Sequence, residues 1–198
     1  MERLKSIVFD LTPVRRPGQP LTASTIQEDE VPTSAESAFQ FGHTATGQPL
    51  PWEWARTRLV AARNYWIATV GPRGPHLRPY WGVWRGDGLW FSTANRTVAN
   101  VEHDPRVTAH PELTGPVDEA LIVEGDLTRV RAFDRLVPVL ADYNAKYGSD
   151  AEPTEEGVRD STGAAGAMLL LRPEVVLGWS TDALDRATRW RCDEEVAW

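Results

Sequence analysis

The stretch YWIATVGPRGPHLRPYWGVWRGDGLWFST, residues 65–93, carries the clearest structural signal in the chain. Three runs within it, 65–70, 76–84 and 89–93, are rich in aromatic and β-branched residues, which suit the pleated surface of a strand. GPRG at 71–74 and RGDG at 85–88 predict turns between these runs. Two consecutive tight hairpins predict an antiparallel meander.

The flanking sequence predicts further strands and a few helices. Apolar residues recur at helical spacing in WEWARTRLVAARN, and Asn95 is a suitable N-cap for a short helix that Asp104-Pro105 ends. A third helix is predicted at 133–148 with Leu136, Val137, Leu140 and Tyr143 on one face and Gly148 as its C-terminal cap. Further strands are predicted at 106–110, at 120–131, and as the last strands within 167–179, with an acidic loop at 149–163.

Many short antiparallel strands with few helices predict a mainly β fold, a small β-barrel, because closure removes exposed sheet edges. The absence of an alternating βαβ pattern argues against a parallel nucleotide-binding sheet. Residues 1–50 are predicted to be an N-terminal extension, and residues 51–198 the barrel domain. The extension is irregular over 17–50, which is rich in Gly, Pro, Ser, Thr and Gln, although 7–11 has the composition of a short strand.

Composition limits the class of protein. The sequence holds no run of eighteen apolar residues and no recognisable signal peptide, so we expect a cytoplasmic protein without a membrane span. The single cysteine, Cys192, forms neither a disulfide framework nor a cysteine metal cluster. The four histidines lack paired ligand spacing, and we expect no metal. There is no P-loop, no GxGxxG after a strand and no GxSxG, and no catalytic residue is identified.

Charge is unevenly distributed along the chain. The net charge is −7, which argues against nucleic-acid binding. Residues 56–106, however, contain eight arginines and three acidic residues, a local excess of five positive charges. Such a local field suits a small anionic ligand. A solvated, arginine-rich surface is the alternative explanation.

The second predicted strand has two distinct faces. Because alternate strand residues share a face, His76, Arg78, Tyr80, Gly82 and Trp84 should point one way and the residues between them the other. The second set, Leu77, Pro79, Trp81 and Val83, is apolar and is predicted to face the barrel interior. The first set would then line an outer wall.

An anion site is predicted where the third strand meets the short helix. Ser92 and Thr93 provide hydroxyl donors at the strand end, and Arg96 and Thr97 lie in the first helical turn, where free N–H groups attract phosphate. Arginine binds phosphate oxygens in a bidentate way, so Arg78 and Arg96 suit this role. A surface salt bridge for Arg78, strand-end polarity for the hydroxyls and capping for Asn95 are the alternatives.

Four segments together resemble the flavin-binding split barrels related to pyridoxamine 5′-phosphate oxidase: NYWIATVGPRGPHLRPYWGVW, LWFSTANRTVANVEHDPRV, IVEGDLTRV and the late TRW. The likeness covers roughly residues 52–191 and is greatest to actinobacterial members described as probable F-420- or FMN-dependent oxidoreductases. It implies a six-stranded antiparallel split barrel that forms a homodimer, with F-420 (a deazaflavin) or FMN in a groove at the interface.

The resemblance also assigns residues to the cofactor. In such proteins the second-strand arginine and its successors hold the cofactor, together with the strand-three hydroxyls and a Ser-Arg-Lys phosphate motif. A late tryptophan of the partner subunit and a C-terminal segment complete the site. The matching residues here are Arg78, Pro79, Tyr80, Trp81, Ser92, Thr93, Asn95, Arg96, Thr97, Trp179, Arg189 and Trp190.

Departures from the family pattern bear on function. The motif lysine is Thr97, a role that Arg73 or Arg58 would have to replace. Ala120 stands where the oxidases have a glutamine, and their C-terminal Arg-x-His-Asp-Arg substrate motif is absent, which argues against vitamin B6 oxidation.

The resulting hypothesis is an enzyme that transfers a hydride between F-420 or FMN and a small organic substrate. Tyr80 and His76 are the candidates to supply a proton. The acidic tail of F-420 suits the arginine-rich segment and favours it slightly over FMN. A non-catalytic split barrel that binds flavin, haem or another ligand is the alternative.

Overall fold

The computed structural model describes residues 32–40, 42–86, 88–115 and 118–192. Within these ranges the chain forms twelve strands, three α-helices and one 3-10 helix. In chain order these are β1 (Ser34–Ser37), β2 (Phe39–Gln40), β3 (His43–Thr44), α1 (Trp52–Ala61), β4 (Asn64–Gly71), β5 (Gly74–Arg85), β6 (Gly88–Thr93), α2 (Arg96–His103), β7 (Arg106–Pro111), β8 (Glu119–Val130), α3 (Phe133–Tyr147), β9 (Glu152–Thr154), β10 (Gly157–Arg159), β11 (Ala165–Ser180), the 3-10 helix (Thr181–Arg186) and β12 (Thr188–Arg191).

Six strands close into an antiparallel barrel in the order β11-β6-β5-β4-β7-β8, because β8 pairs with β11 along its whole length. This confirms the predicted meander of β4, β5 and β6 and the six-stranded split barrel. β11 has two partners along its other edge: 167–171 pair with β6, and 175–178 pair with β12. It is one long strand, where the sequence predicted several.

The barrel interior is the main hydrophobic core. Its buried members come from all six barrel strands, and α1 adds Ala55 and Leu59. Strand alternation accounts for this arrangement, since Tyr65 and Ile67 of β4 face the same side as Leu89 and Phe91 of β6. The interior is aromatic as well as aliphatic.

The orientation predicted for β5 is wrong. Tyr80 and Trp84 lie in the interior core, where the Tyr80 ring contacts Phe91, whereas Val83 lies in an outer core and Leu77 is 51% exposed. Alternation fixes which residues share a face but does not say which face is inside. Here the outer face is also apolar around Val83, because a helix covers it.

That helix is α3, which builds the outer core against β5, β6, β8 and β11. Leu136, Val139 and Leu140 are buried there, whereas Val137, predicted on the buried face, is 48% exposed. The helix packs through a face shifted from the predicted one. Gly148 ends the helix in a left-handed conformation, with φ 67°, and confirms the predicted cap.

Two regions predicted as irregular contain strands. β1 pairs antiparallel with β12 and so extends the sheet beyond β11, while β2 and β3 form a small hairpin. Within 149–163, β9 and β10 form a hairpin that pairs with the start of β11. The strand predicted at 7–11 lies outside the described residues. A domain boundary at residue 50 stays a prediction.

Candidate functional site

The candidate site lies around the N-terminus of α2, where the sequence predicts an anion site, and that role stays a prediction. Asn95 caps the helix, because its side-chain oxygen accepts a hydrogen bond from the Thr97 backbone N–H at 2.8 Å. The Thr93 hydroxyl accepts one from the Asn95 backbone N–H at 3.2 Å. The end of β6 therefore fixes where the helix begins.

A hydrogen-bonded network attaches α2 to the barrel. We call it the α2 polar cluster, and it consists of Thr69, His76, Tyr80, Thr93, Asn95, Arg96, Thr97 and Asn100. Among the residues that the structure describes, seven polar side chains are buried, and five belong to this cluster. Such a concentration of buried polar groups marks a site with a structural or binding role.

Three contacts within the cluster hold the helix against β4 and β5. The Tyr80 hydroxyl lies 2.6 Å from the Thr97 hydroxyl and accepts a hydrogen bond from the Asn95 side-chain amide at 2.9 Å. Asn100 donates to Thr69 at 2.9 Å. A Cβ at Gly71 would lie 2.1 Å from the Asn100 side-chain oxygen, so only glycine permits this close approach.

Arg96 and His76 form a further contact within the cluster. Nη2 of Arg96 lies 2.8 Å from Nδ1 of His76. Two further nitrogens of the pair, Nε2 of His76 and Nε of Arg96, are buried and have no hydrogen-bond partner among the residues that the structure describes. Unsatisfied buried donors are costly, so these atoms point to an acceptor that the described part of the chain does not supply.

Positive charge surrounds this pair. Burial is the main cause that lowers the pKa of His76, and the charges of Arg96, Arg78 and Arg73 lower it further. The three guanidinium groups are therefore close enough to act on one imidazole. None of them forms an ion pair with an acidic residue in the described part of the chain, where Arg78 donates only to the Leu77 carbonyl.

The structure brings together Arg78, Tyr80, Thr93, Asn95 and Arg96, but their surfaces differ. Arg78 and Asn95 are exposed and Arg96 is partly exposed, whereas Thr97 has no exposed surface. The hydroxyl of Thr97 is engaged by Tyr80 and faces the barrel. Thr97 therefore holds α2 against β5, and it does not replace the cationic lysine of the family motif.

Three other predicted residues of this region point away from the cluster. Ser92 precedes Thr93 and so lies on the opposite face of β6, in register with Met168 of the outer core. Trp81 lies on the outer face of β5, where it stacks on Tyr147. Pro79 is exposed on the same outer face, in register with Trp66.

The late residues lie elsewhere in the fold. Trp190 is 1% exposed and packs in the interior core against Trp52 and Trp54, which leaves it no surface for a ligand. Trp179 packs against a small cluster formed by Ala38, Ala45, Leu177 and Ala187. Arg189 is paired in register with Leu177 and Glu36. Arg58, one of two candidates to replace the motif lysine, is bound to Glu119 by two hydrogen bonds of 2.7 and 2.5 Å.

The sequence did not reveal the role of His76 in the cluster. It was considered only as a source of a proton, because a lone histidine in a strand has no local signal for its partner. The contact with Arg96 joins residues twenty positions apart, and the β5–β6 hairpin with the turn into α2 creates it. Thr69 and Asn100 were missed for the same reason.

The donor set at this site fits a phosphate group. Guanidinium forks, an uncompensated imidazole N–H and a helix N-terminus all bind oxyanions. The unpaired nitrogens of His76 and Arg96 are the structural observation that supports this fit.

Among the residues that the structure describes, none of the helices has the length and the apolar character of a membrane span.

Comparisons with known proteins agree with the fold. The family model described as pyridoxamine 5′-phosphate oxidase matches residues 53–179, well over half of the chain. No curated protein sequence matches the chain significantly.

Among solved structures, a conserved hypothetical protein from Mycobacterium tuberculosis is 18% identical, with a TM-score of 0.54, over 68% of this chain and 90% of that one. A NimC/NimA family protein from Clostridium acetobutylicum is 13% identical, with a TM-score of 0.53, over 70% and 91%. A protein of that organism related to general stress protein 26 is 13% identical, with a TM-score of 0.52, over 72% and 94%. At these identities the likeness establishes the fold alone. With the family match over most of its barrel, the chain belongs to the pyridoxamine 5′-phosphate oxidase-like family of split barrels.

Proposed function

We propose that this protein binds F-420 or FMN at the α2 polar cluster and works as an oxidoreductase on a small organic substrate. The single observation that carries the proposal is the set of three arginines without acidic partners among the described residues, next to two buried nitrogens that lack acceptors. Membership of the family supports a flavin-type ligand. We place the protein in the cytoplasm, from its sequence.

The phosphate would be held by Arg78 and Arg96, with Arg73 close enough to add positive charge. The exposed position of Arg78 lets its guanidinium meet a ligand at the barrel surface. When bound, the tricyclic ring supplies the hydride chemistry. The residues of the chain bind and orient it, and Trp179 and Arg189 remain candidates to approach it from a second subunit.

A second copy of the chain is proposed to cover the outer face of β4 and β5. Trp66, Val70 and Leu77 are 40%, 49% and 51% exposed. In the strand register they alternate on one face, with Trp66 opposite Pro79 and Leu77 opposite Ala68. A contiguous apolar face of this kind favours a protein interface. The partner would be an identical chain, as the resemblance implies.

The choice between the two cofactors rests on charge. Both carry a phosphate and a tricyclic ring, but F-420 adds an acidic tail. Arg73 is exposed and forms no ion pair with the residues described, so it is available to such a tail. This slightly favours F-420.

The test is equilibrium binding of FMN and of F-420 to the purified protein, followed by fluorescence. Arg78→Ala and Arg96→Ala should each weaken binding at least tenfold, because a charge-assisted contact is lost. Arg159→Ala is the matched control, since Arg159 is an exposed arginine on β10. If neither cofactor binds at micromolar concentrations, the proposed function fails.

A non-catalytic ligand-binding protein is the second candidate. Tyr80 and His76, the predicted proton sources, are both buried and hydrogen-bonded within the cluster, which favours binding without turnover. The two candidates differ in one measurement. An enzyme would reoxidise its bound, reduced cofactor with small quinones or nitroaromatics faster than the same cofactor reacts free in solution.

A further inference from the structure

We propose that His76 is itself a ligand-binding residue, a neutral imidazole that orients Arg96 through Nδ1 and donates a hydrogen bond from Nε2–H to the ligand's anionic group. The inference rests on the proposed function, because it assumes that an oxyanion such as a phosphate occupies the α2 polar cluster. It adds a neutral donor to a site otherwise made of cations.

The donor and acceptor roles follow from the chemistry of the two side chains. A guanidinium has five N–H donors and no acceptor. The 2.8 Å contact between Arg96 Nη2 and His76 Nδ1 is therefore a hydrogen bond only if Nδ1 accepts. A neutral ring with an accepting Nδ1 carries its proton on Nε2. The arginine thus selects the tautomer of the histidine.

Nε2–H then has no acceptor within the described chain. His76 is 7% exposed, and its Nε2 has no hydrogen-bond partner among the described residues. Nε of Arg96, also a donor, is buried and unpaired in the same way. Two neighbouring donors without acceptors cost stability in the free protein, and one oxyanion can satisfy both. Binding of an oxyanion removes this free-energy cost, and the bound state is favoured as a result.

The surroundings of the ring keep it neutral. Arg96 of α2, Arg78 of β5 and Arg73 of the preceding turn face it with positive charge, and β4 contributes the uncharged hydroxyl of Thr69, which contacts the His76 carbonyl. No carboxylate of a described element shifts the pKa of this imidazole. Burial and the three cations all lower its pKa.

The amide side chains separate the two roles of the ring. In His76→Asn, the amide oxygen takes the place of Nδ1, so the acceptor for Arg96 is kept and the ligand donor is lost. In His76→Gln, the amide reaches the position of Nε2, so the donor is kept and the acceptor is lost. His76→Ala loses both. His43→Gln is the control, since His43 is exposed on β3.

The first measurement compares FMN with riboflavin, which lacks the phosphate. We expect about a tenfold loss of FMN affinity for the Asn and Gln variants and a larger loss for the Ala variant, with riboflavin affinity unchanged. Equal losses for FMN and riboflavin would overturn the proposal, because His76 would then only support the fold. Unchanged FMN affinity in all three variants would overturn it as well.

The second measurement does not depend on a flavin. Nitrogen NMR of the labelled protein should show His76 in the Nε2-protonated tautomer, and inorganic phosphate should shift the Nε2 resonance while the His43 resonances stay unchanged. A Nδ1-protonated ring, or no shift at saturating phosphate, would refute the role of His76. If phosphate shifts Nε2 but neither FMN nor F-420 binds, the anion site stands and the proposed function fails.

Discussion

The indole ring of Trp81 lies flat on the phenol ring of Tyr147, with ring centroids 4.8 Å apart and planes 3° from parallel. The contact joins β5 to the last turn of α3 on the outside of the barrel. The Tyr147 hydroxyl also donates to the Gly82 carbonyl at 2.7 Å and accepts from the Gly82 N–H at 2.9 Å. The end of α3 therefore satisfies the backbone of β5 just beyond its pairing with β4, which ends at Trp81.

This stack predicts that Trp81 and Tyr147 stabilise the fold together. Trp81→Ala and Tyr147→Phe should each lower the free energy of unfolding, the first by about 2–3 kcal/mol because the ring is only partly buried. In a cycle of Trp81→Ala and Tyr147→Ala, urea unfolding should give a coupling of about 0.5–1.5 kcal/mol. Additive losses would show that the two rings act independently.

The buried position of Thr97 leads to a prediction about the family motif: a lysine placed at this position will not contact a phosphate. Thr97→Lys would remove the contact with Tyr80 and force a charge into a position without exposed surface. We expect at least about 3 kcal/mol of destabilisation in urea unfolding and no gain in FMN affinity. Thr97→Ser, which keeps the hydroxyl, should lose far less stability. A stable Lys variant with tighter FMN binding would contradict this view of the helix.

The buried ammonium group of Lys146 predicts that the free energy of unfolding changes with pH in the alkaline range. Its ammonium donates to the carbonyls of Ala62 and Gly82 at 2.6 and 2.9 Å, and burial, followed by the charge of Arg63, lowers its pKa to about 8. In an unfolded chain, lysine has a pKa of about 10.4. Between about pH 8 and 10 the unfolded chain therefore binds more protons, and the free energy of unfolding should rise with pH.

Urea unfolding at several pH values between about 8 and 10 tests this, with Lys146→Met as the comparison. The variant should lose stability at neutral pH, because the carbonyls lose their donor, and should also lose the positive slope. The same slope in both proteins would show that another group causes it. Above about pH 10 the buried tyrosines add an opposite dependence, because burial raises their pKa and the unfolded chain ionises first.

The exposed apolar face of β4 and β5 predicts a homodimer that a single charge disrupts. Trp66→Lys and Leu77→Lys should each shift the protein from dimer to monomer in light scattering coupled to size exclusion, because an unpaired charge would be buried at the interface. Val137→Lys, at an exposed position on α3, is the control and should leave the mass unchanged. A monomeric wild-type protein at micromolar concentration would remove this proposal.

Local pattern was sufficient for the meander and for the start of α2. Aromatic and β-branched runs separated by glycine turns have few alternatives to hairpins, and a helix that follows Asn95 needs the cap that Asn95 provides. These features depend on residues that are close together in the chain, so they can be predicted from the sequence alone. The nearness of Thr93 and Arg96 followed from the same short-range logic, because three positions separate them along the chain.

The choice of faces and the partners of buried groups depended on closure of the barrel. Both faces of β5 are apolar near Val83, so alternation alone did not show that Tyr80 and Trp84 point inward; the packing of α3 on the outside did. Likewise, no local signal linked His76 to Arg96, since their contact requires the hairpin, the turn and the helix to be in place. The sequence was enough for a split barrel with an arginine-rich edge. Tertiary packing decided which donors of that edge are buried, and it left Nε2 of His76 and Nε of Arg96 without acceptors among the described residues.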